Sequence, residues 1–561
     1  MKIYILLMLW CIGNIVNAQN FKWVNTFGSS AAEFGYSVKT APDGKVYVTG
    51  SFSEELDLDP SPAVMKLTSQ GSTDIFIVCY DSTGEFLWAK SVGGEGSDEG
   101  FSLALDISGN VYVTGYFQDN VDFDPDGGSY PLIAQGIKDM FVLKLTNEGT
   151  FLWAKDIGGT KTTIGKSIFT DADGNIALTG YFKGVTNFNP DGSGFYLTSV
   201  GSSNDAFVLR LNPDGGFIWA IPIAGPGFDE GWSIQMDGAG NVYAVGSFEQ
   251  GIVFDSDPMI SKGGKDIYLI KLSKEGLYVY SKSIGSNIDD VCKALALDAS
   301  GNLYLSGYFQ QDADFDPGAG EYYLSSKGDY DVFILKLDSE GAFVYAKSMG
   351  GTEPEEAKGI AVDAAGNVYA TGGFNGTADF NPGMSEYLLE APGESENIFI
   401  VKLDAVGNFS WASSIGSTGI DVGAAIALRG QNVYTTGVFN EIVDFDPNMG
   451  IENYDAIGGG DCYLLKLNQK SSMLKLVDNV PATPPIDIYP NPSTGIFNIN
   501  TRNISSPYSI TICNNLGRII YQSEENSTPT EVDLSHFPDG SYFISINTPT
   551  TSSTHKVIHL K

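Results

Sequence analysis

One phrase recurs seven times in this chain of 561 residues, and it constrains the fold more than any other feature. It reads VYVTGSF at 46–52, VYVTGYF at 111–117, IALTGYF at 176–182, VYAVGSF at 242–248, LYLSGYF at 303–309, VYATGGF at 368–374 and VYTTGVF at 433–439. Its glycines stand at 50, 115, 180, 246, 307, 372 and 437, a period of 65 or 66 with one shortened unit of 61. A fixed period of this order marks an array of supersecondary units, none of which can bury its apolar face alone. Each unit parses into four β segments: a short apolar run such as FSLALD (101–106), the recurring phrase, a third run such as DMFVLKL (139–145), and a fourth such as FLWAKDIG (151–158). Between the first two lies a tight turn, DISGN at 106–110 and its variants, in which glycine supplies a positive φ and Asp bonds back to the backbone. Four antiparallel strands per unit predict one propeller blade.

The ends of the array fit each other. The seventh unit reaches DCYLLKL (461–467) and stops without its fourth segment, while QNFKWVNTFGSS (19–30) is a fourth segment with nothing before it. The expectation is an all-β, seven-bladed propeller over residues 19–467, closed by the N-terminal strand so that no sheet edge is left open. One aromatic per fourth segment, Trp23, Trp88, Trp153, Trp219, Tyr280, Tyr345 and Trp411, reads as structural closure between blades, with sugar stacking as the alternative. The repeats resemble the bacterial SBBP-type β-propeller family over roughly residues 20–467. That resemblance implies the fold and no common reaction.

Two other segments flank the array. Residues 1–18, MKIYILLMLWCIGNIVNA, have Lys2, an apolar run and small residues before a cut, the pattern of a secretory signal peptide. No later stretch is apolar and long enough to predict a transmembrane helix. After a polar, proline-ending linker (468–485), residues 486–561 alternate short strands with Asn, Gly and Pro turns, which predicts a small Ig-like β-sandwich. Its motifs, YPNPSTG at 489–495, N-x-L-G-R at 514–518 and D-L-S-x-F-x-x-G-x-Y at 533–542, resemble the type A C-terminal sorting domain of the type IX secretion system. The resemblance implies a Bacteroidota-type source, export to the extracellular or outer-membrane surface, and partners in the secretion machinery and its sorting peptidase. Removal of the domain would then leave the propeller released or attached to surface lipopolysaccharide.

Charge and composition narrow the chemistry. The chain carries 68 acidic against 32 basic residues, a net −36, and the terminal module contributes little of it. Such a surface repels phosphate backbones and anionic lipid, which argues against nucleic acid as a partner. The histidines, His536, His555 and His559, all lie in the terminal module, so the array cannot hold a Ser-His-Asp triad or a His-ligated metal. Cys79, Cys292, Cys462 and Cys513 occupy unrelated repeat positions and read as small core residues. What remains is carboxylate chemistry, and two carboxylate sets recur.

One set follows the second segment as D-x-D-P. Asp122, Asp124 and Asp126, Asp314 and Asp316, and Asp444 and Asp446 are candidate calcium ligands; DFDPDGG (122–128) begins like a calcium loop but lacks the closing glutamate, and other units carry Asn. Turn capping is the competing reading. The other set stands eight residues before the turn Asp: Glu33, Asp98, Asp229, Asp290, Glu355 and Asp421, with Thr163 in the third unit. These precede the first strand, so they are candidates for a cation or ligand site at the channel mouth, with loop capping as the alternative. No certain cofactor follows, and no catalytic residue is assigned. Trp232, in GPGFDEGW (225–232), is the best local irregularity among otherwise similar units. The reading that fits is a secreted or surface-displayed non-catalytic binding protein for a glycan, protein or cation. A carboxylate-based polysaccharide-active enzyme and a structural surface-layer component are the alternatives.

Overall fold

The structure, a computed structural model, describes residues 19–254, 257–393, 395–448, 450–469, 486–501, 508–514, 519–525, 530–547 and 552–560. The signal-peptide segment 1–18, most of the linker, Asp255 and most of N-x-L-G-R lie outside the described residues. The chain divides into two compact units, Met1–Ser471 and Ser472–Lys561.

The first unit is all β, built from propeller-like repeated sheets; we number them one to seven in chain order. Their first strands are Phe34–Thr40, Glu99–Leu105, Thr162–Thr170, Glu230–Met236, Val291–Leu297, Glu355–Val362 and Val422–Arg429. Each pairs with the strand carrying the recurring phrase, which pairs in turn with a third and that with a fourth, all antiparallel. In sheet seven the fourth position is taken by Asn20–Phe27, which pairs with Asp461–Asn468 in register Phe21 to Leu467 and Phe27 to Cys462. The fourth strands of sheets two and five also pick up a short hairpin from the following unit, Val185–Asn187 with Tyr196–Thr198 and Thr377–Asp379 with Leu388–Glu390.

Why the central strands read as unbroken apolar runs is now plain. Val46–Phe52 and Asp74–Tyr80 are buried at every position, because a neighbouring sheet covers each of their faces. The fourth strand, Phe86–Val92, is the outer edge of its sheet and is covered less: Ala89 and Val92 are buried, while Leu87 is exposed. The apolar core lies between sheets. Phe117, Phe123 and Phe141 join Ile75 and Ile77 between sheets one and two, and Phe27, Tyr434 and Leu464 join Val48, Phe76 and Tyr80 between residues of the last and first sheets.

Two small-residue devices set the spacing. In each recurring phrase a Cβ on the glycine would fall far inside van der Waals distance of a first-strand carbonyl: Phe34 O for Gly50, Glu99 O for Gly115, Glu356 O for Gly372. That carbonyl is pushed forward by a β-bulge, which breaks the register between Gly35 and Ser37, Gly100 and Ser102, and at the equivalent place in all seven first strands. The threonine before the glycine donates its hydroxyl to a third-strand carbonyl, Thr114 to Phe141 O at 2.7 Å and Thr49 to Phe76 O at 2.8 Å. Its other side rests on a glycine of the next sheet's first strand: Thr49 on Gly100, Thr114 on Gly165, Thr371 on Gly423, and Thr436 on Gly35. Along the axis the first strands are also laced together, since Ser37 Oγ accepts from Leu103 N and Ser167 Oγ from Ile234 N, at 3.3 and 3.2 Å.

The aromatic of each fourth strand leans over the positive-φ glycine of the next sheet's outer turn: Trp23 over Gly84, Trp88 over Gly149, Tyr280 over Gly341. Trp88 and Trp219 also donate Nε1–H to Asn147 O and Lys274 O, at 3.2 and 3.1 Å. Trp153 meets Gly215 in the same way, and Trp411 is buried against Tyr369 at a ring separation of 6.3 Å. These rings pack sheet on sheet.

The second unit has a three-stranded sheet (Ile486–Tyr489, Ile496–Thr501, Thr530–Asp533) and a four-stranded one (Ile519–Glu525, Tyr508–Asn514, Gly540–Asn547, Ser552–His559). They share one core that includes Phe497, Ile510, Val532 and Ile544.

Adding a methyl at Gly35 tests the seam between the last and first units. Gly35→Ala should cost about 1–3 kcal/mol by overpacking against Thr436 and Cys462. Thr436→Ala in the same chain should return part of that loss, measured by urea unfolding.

Candidate functional site

The first strands enter from loops that need capping, and the acidic set does this. Asp98 accepts from Gly94 N and Gln118 N at 2.8 and 2.9 Å, Asp421 from Ser417 N and Asn440 N at 2.6 and 2.7 Å, and Glu355 from Gly351 N at 3.0 Å. Glu33 accepts from Ser29 N at 2.8 Å, Asp229 from Glu249 N at 3.4 Å, and Asp290 from Gln310 N and Ser286 N. Thr163, at the equivalent place in the third unit, meets the Thr186 hydroxyl at 2.9 Å. All six carboxyls are fully buried, so they sit in the seams between sheets rather than at an open mouth.

Most seams also hold an acid at the head of the preceding third strand, which the repeat alone does not single out; in the Asp421 seam Asn397 stands there. Asp205 stands near Asp229, Asp331 near Glu355, and Asp461 near Glu33. Burial, with the neighbouring acid adding to it, pushes the carboxyls up: Asp98 to about 7, Asp229 to about 8 and Glu355 to about 9; burial also lifts Asp290 to about 6.

The D-x-D-P set is likewise engaged by backbone. Asp122 Oδ1 accepts from Asp124 N and Tyr130 N at 3.1 and 2.7 Å, Asp314 Oδ1 from Asp316 N and Tyr322 N at 3.1 and 2.8 Å, and Asp444 Oδ1 from Asp446 N and Glu452 N at 3.1 and 2.9 Å. Asn187 makes the same two bonds, which explains why Asn substitutes freely here: only a carbonyl-type oxygen is required. Asp124 Oδ1 takes Asp126 N at 2.9 Å, Asp316 Oδ1 Gly318 N at 2.8 Å, and Asp446 Oδ1 Asn448 N at 3.0 Å, while Asp126 pairs with Lys90 at 2.6 Å. Among the described residues no group of three His, Cys, Asp or Glu side chains stands close enough to hold a metal ion.

A departure from the repeat lies three residues past each seam acid, or past Thr163 in the third unit, at the residue the β-bulge leaves unpaired. Around the axis these are Tyr36, Phe101, Lys166, Trp232, Lys293, Lys358 and Ala424. They line a cavity of about 530 Å³ to which the first strands of all seven sheets contribute. The columns on either side keep small residues in every unit, glycine, cysteine or alanine before it and serine, alanine or glycine after it, while this one ranges from alanine to tryptophan. Lys166 Nζ lies 3.7 Å from the Phe101 ring centre and 5.4 Å from that of Trp232, and Lys293 Nζ lies 3.6 Å from the Trp232 ring.

Glutamates next to the seam acids complete the cluster. Glu99 accepts from Tyr116 and Tyr36 hydroxyls at 2.7 and 3.0 Å, Glu230 pairs with Lys265 at 3.6 Å, and Glu356 meets Lys358 at 2.5 Å and Lys293 at 3.6 Å. Burial opposes ionisation of Glu356, but Lys358 and Lys293 outweigh it and hold the carboxyl low. Lys166 makes no ion pair among the described residues, and burial draws its ammonium down to about 8 against the pull of Glu99 and Glu230. The indole N–H of Trp232 is buried without an acceptor. Trp232 was visible in the sequence as an irregularity; the lysines were not, because a lone lysine in a strand reads as solvated. The sequence trace they leave is a mixed column between two columns of small residues, which marks the position but not the direction of a lysine.

Opening beside this cavity is an apolar groove of about 680 Å³, between the first strands of sheets seven and one, with Phe34, Ile420, Val422 and Val438 in its walls. Tyr36, Lys358 and Ala424 line both spaces. The shortest side chain of the ring, at Ala424, stands where they join.

Fold and sites together define an exported β-propeller repeat protein. Residues 487–560 match the family model of the secretion system C-terminal sorting domain, the type IX tail, which indicates export to the extracellular or outer-membrane surface. Residues 87–116 match the β-propeller repeat of the SBBP family, and residues 41–75 a β-propeller domain of unknown function. An uncharacterized WD repeat-containing protein of Acanthamoeba polyphaga mimivirus is 24% identical over 500 residues, 75% of this chain and 36% of the relative. The regulatory protein FlaEY of Caulobacter vibrioides is 25% identical over 267 residues, 44% of this chain and 26% of the relative. The chain thus spans about a third and a quarter of the length of these curated relatives. Among solved structures, the WD40 β-propeller domain of Doa1 aligns at TM-score 0.39 and 9% identity, covering 81% of this chain and 97% of that one. A DUF4221 family member from Bacteroides vulgatus aligns at 0.25 and 10%, covering 63% and 92%. Scores this low carry no argument about activity. No helix among the described residues is long and apolar enough to cross a membrane.

The buried acids give a pH dependence whose sign is fixed. A carboxyl with a native pKa above its unfolded value near 4 keeps its proton in the fold where the unfolded chain has lost it, so stability falls as pH rises. Melting temperature should therefore drop between about pH 4 and pH 9, and Glu355→Gln, uncharged throughout, should flatten the upper part of that fall, as thermal melts across the range would read. For the D-x-D-P loops, Asp122→Asn should melt with the parent, whereas Asp122→Ala forfeits two amide bonds and about 1–3 kcal/mol. Melts in millimolar calcium and in chelator should coincide.

Proposed function

We propose that this chain is a non-catalytic binding protein of the cell exterior, which takes its ligand in the axial cavity. In this reading residues 1–18 are a removed signal peptide and residues 19–467 form a seven-bladed propeller whose ring is closed by Asn20–Phe27 in the last blade. Residues 468–485 are the linker to the sorting sandwich of 486–561. What carries the functional reading is the ring of bulged residues. Seven similar units keep small residues on either side of the bulge but vary the bulged side chain that lines the cavity, and there they supply lysines and aromatic rings.

The glutamates in the cavity are the observation that favours a second reading, a carboxylate-based polysaccharide-active enzyme. Against it, Glu356 is held low by two lysines, so it is not poised as an acid, and Glu99 is occupied by two tyrosine hydroxyls. The seam acids have raised pKa values but are buried away from the cavity. Cation binding at D-x-D-P is disfavoured because the oxygens already accept backbone donors.

The test is a panel of soluble extracellular glycans and glycoproteins, run against the full chain and a Lys166→Met/Trp232→Ala variant. Binding by the parent, loss of at least about tenfold in the variant, and ligand recovered at unchanged mass would support the proposal. New reducing ends in the recovered ligand, or binding indifferent to both substitutions, would overturn it.

A further inference from the structure

The axial cavity and the groove beside it differ in chemistry yet share three residues. The cavity side offers ammonium groups. Lys358 stands at the junction, with Lys293 sharing its partner Glu356, and Lys166 lies further round the axis without an ion pair among the described residues. The groove side offers carbon: Phe34 and Ile420 are 39% and 59% exposed, and Val422 and Val438 form the wall beside them. Glycines at 35, 419, 437, 458 and 459 keep the groove open, and Asn440 and Glu441 complete its lining. The junction exists because the seventh bulged residue is alanine, where its six counterparts are tyrosine, phenylalanine, tryptophan or lysine.

Resting on the reading that the axial cavity is the ligand site, we propose that cavity and groove form one site for an amphiphilic carboxylate. Its carboxylate meets the Lys358 ammonium, and its apolar body lies along Phe34, Ile420, Val422 and Val438. A single negative charge suits the head group better than a phosphate or sulfate ester. Four lysines, Lys39, Lys166, Lys293 and Lys358, line the cavity, but Glu99, Glu230 and Glu356 are close enough that each further negative charge is opposed. The head group displaces Glu356 as the partner of Lys358, and Lys293, 3.6 Å from Glu356, keeps that carboxylate from being stranded. The apolar body gains by leaving water, since a volume of about 680 Å³ lies within the range of small-molecule sites and this one is lined mainly by carbon. The acidic exterior of the protein raises the cost of approach for any anion, so the affinity must be supplied locally by the lysines and the apolar wall.

Isothermal titration of the full chain with decanoate, 1-decanol and galacturonate separates the contributions. Decanoate should bind, and both decanol, which lacks the charge, and galacturonate, which lacks the apolar body, should bind at least about tenfold more weakly. Lys358→Met should weaken decanoate by about tenfold or more, while Lys358→Arg, which keeps the charge and checks the fold, should stay within about threefold of the parent. Ala424→Phe should close the junction and weaken decanoate to a similar extent. Equal binding of decanoate and decanol would overturn the proposal, as would a Lys358→Met or Ala424→Phe chain that binds like the parent. Galacturonate binding without decanoate would overturn it too, while leaving the axial cavity standing as a binding site. If no probe bound, the amphiphile would be excluded, and the glycan panel would decide the broader reading separately.

Discussion

The close approach of a glycine to a displaced carbonyl organises this structure. In every recurring phrase the glycine leaves room for the carbonyl of a bulged first strand, and any side chain there would collide with it. The bulge places one extra residue per sheet out of the hydrogen-bond ladder. Regularity and variation are thereby separated within a few residues. The glycine, the threonine or serine that precedes it in six of the seven sheets, and the small residue of the next sheet are fixed by contact, whereas the bulged side chains meet one another around the cavity, as Lys166 meets Phe101 and Lys293 meets Trp232. A binding surface can accumulate at that position without disturbing the layers behind it.

Electrostatics divide along the same line. The chain has a net charge of −36, yet its axial cavity gathers Lys166, Lys293 and Lys358. The acids nearest the axis fall into two kinds. Seam acids such as Glu355 are buried with only amide donors and a neighbouring acid, so they favour the protonated form. Cavity acids such as Glu356, one residue on, find lysines and stay ionised. Adjacent residues in one strand therefore carry opposite protonation preferences, because successive side chains point to opposite faces.

Much of the architecture was legible in the sequence, and the limits are physical. The period, the turn residues and the complementary ends predicted repeated four-stranded sheets and the pairing of residues 20–27 with the last unit, since these depend on patterns local to the chain. The terminal motifs pointed to the sorting domain, which the family match at 487–560 shows. The site was less legible. Both carboxylate sets drew attention because they repeat, and repetition here reflects a shared structural load: amide capping in the seams and in the D-x-D-P loops. Lys166, Lys293 and Lys358 escaped notice because no sequence rule distinguishes a solvated lysine from one turned to an axis by a bulge. The second seam acids, Asp205 and Asp331 among them, were hidden as the first residues of apolar strands.

The pairing of Asn20–Phe27 with Asp461–Asn468 bears on how the molecule comes into being. Its two strands are about 440 residues apart, and bringing such distant ends together costs on the order of 5 kcal/mol in chain entropy. Every earlier sheet can assemble from one contiguous stretch, but the last cannot exist until the whole array has been made. The segment synthesised first thus waits for the segment synthesised near the end. Folding of this unit acquires a late, cooperative step that senses completeness: a chain truncated before residue 461 would leave Asn20–Phe27 without its strand partner and leave the Gly35 seam without Thr436.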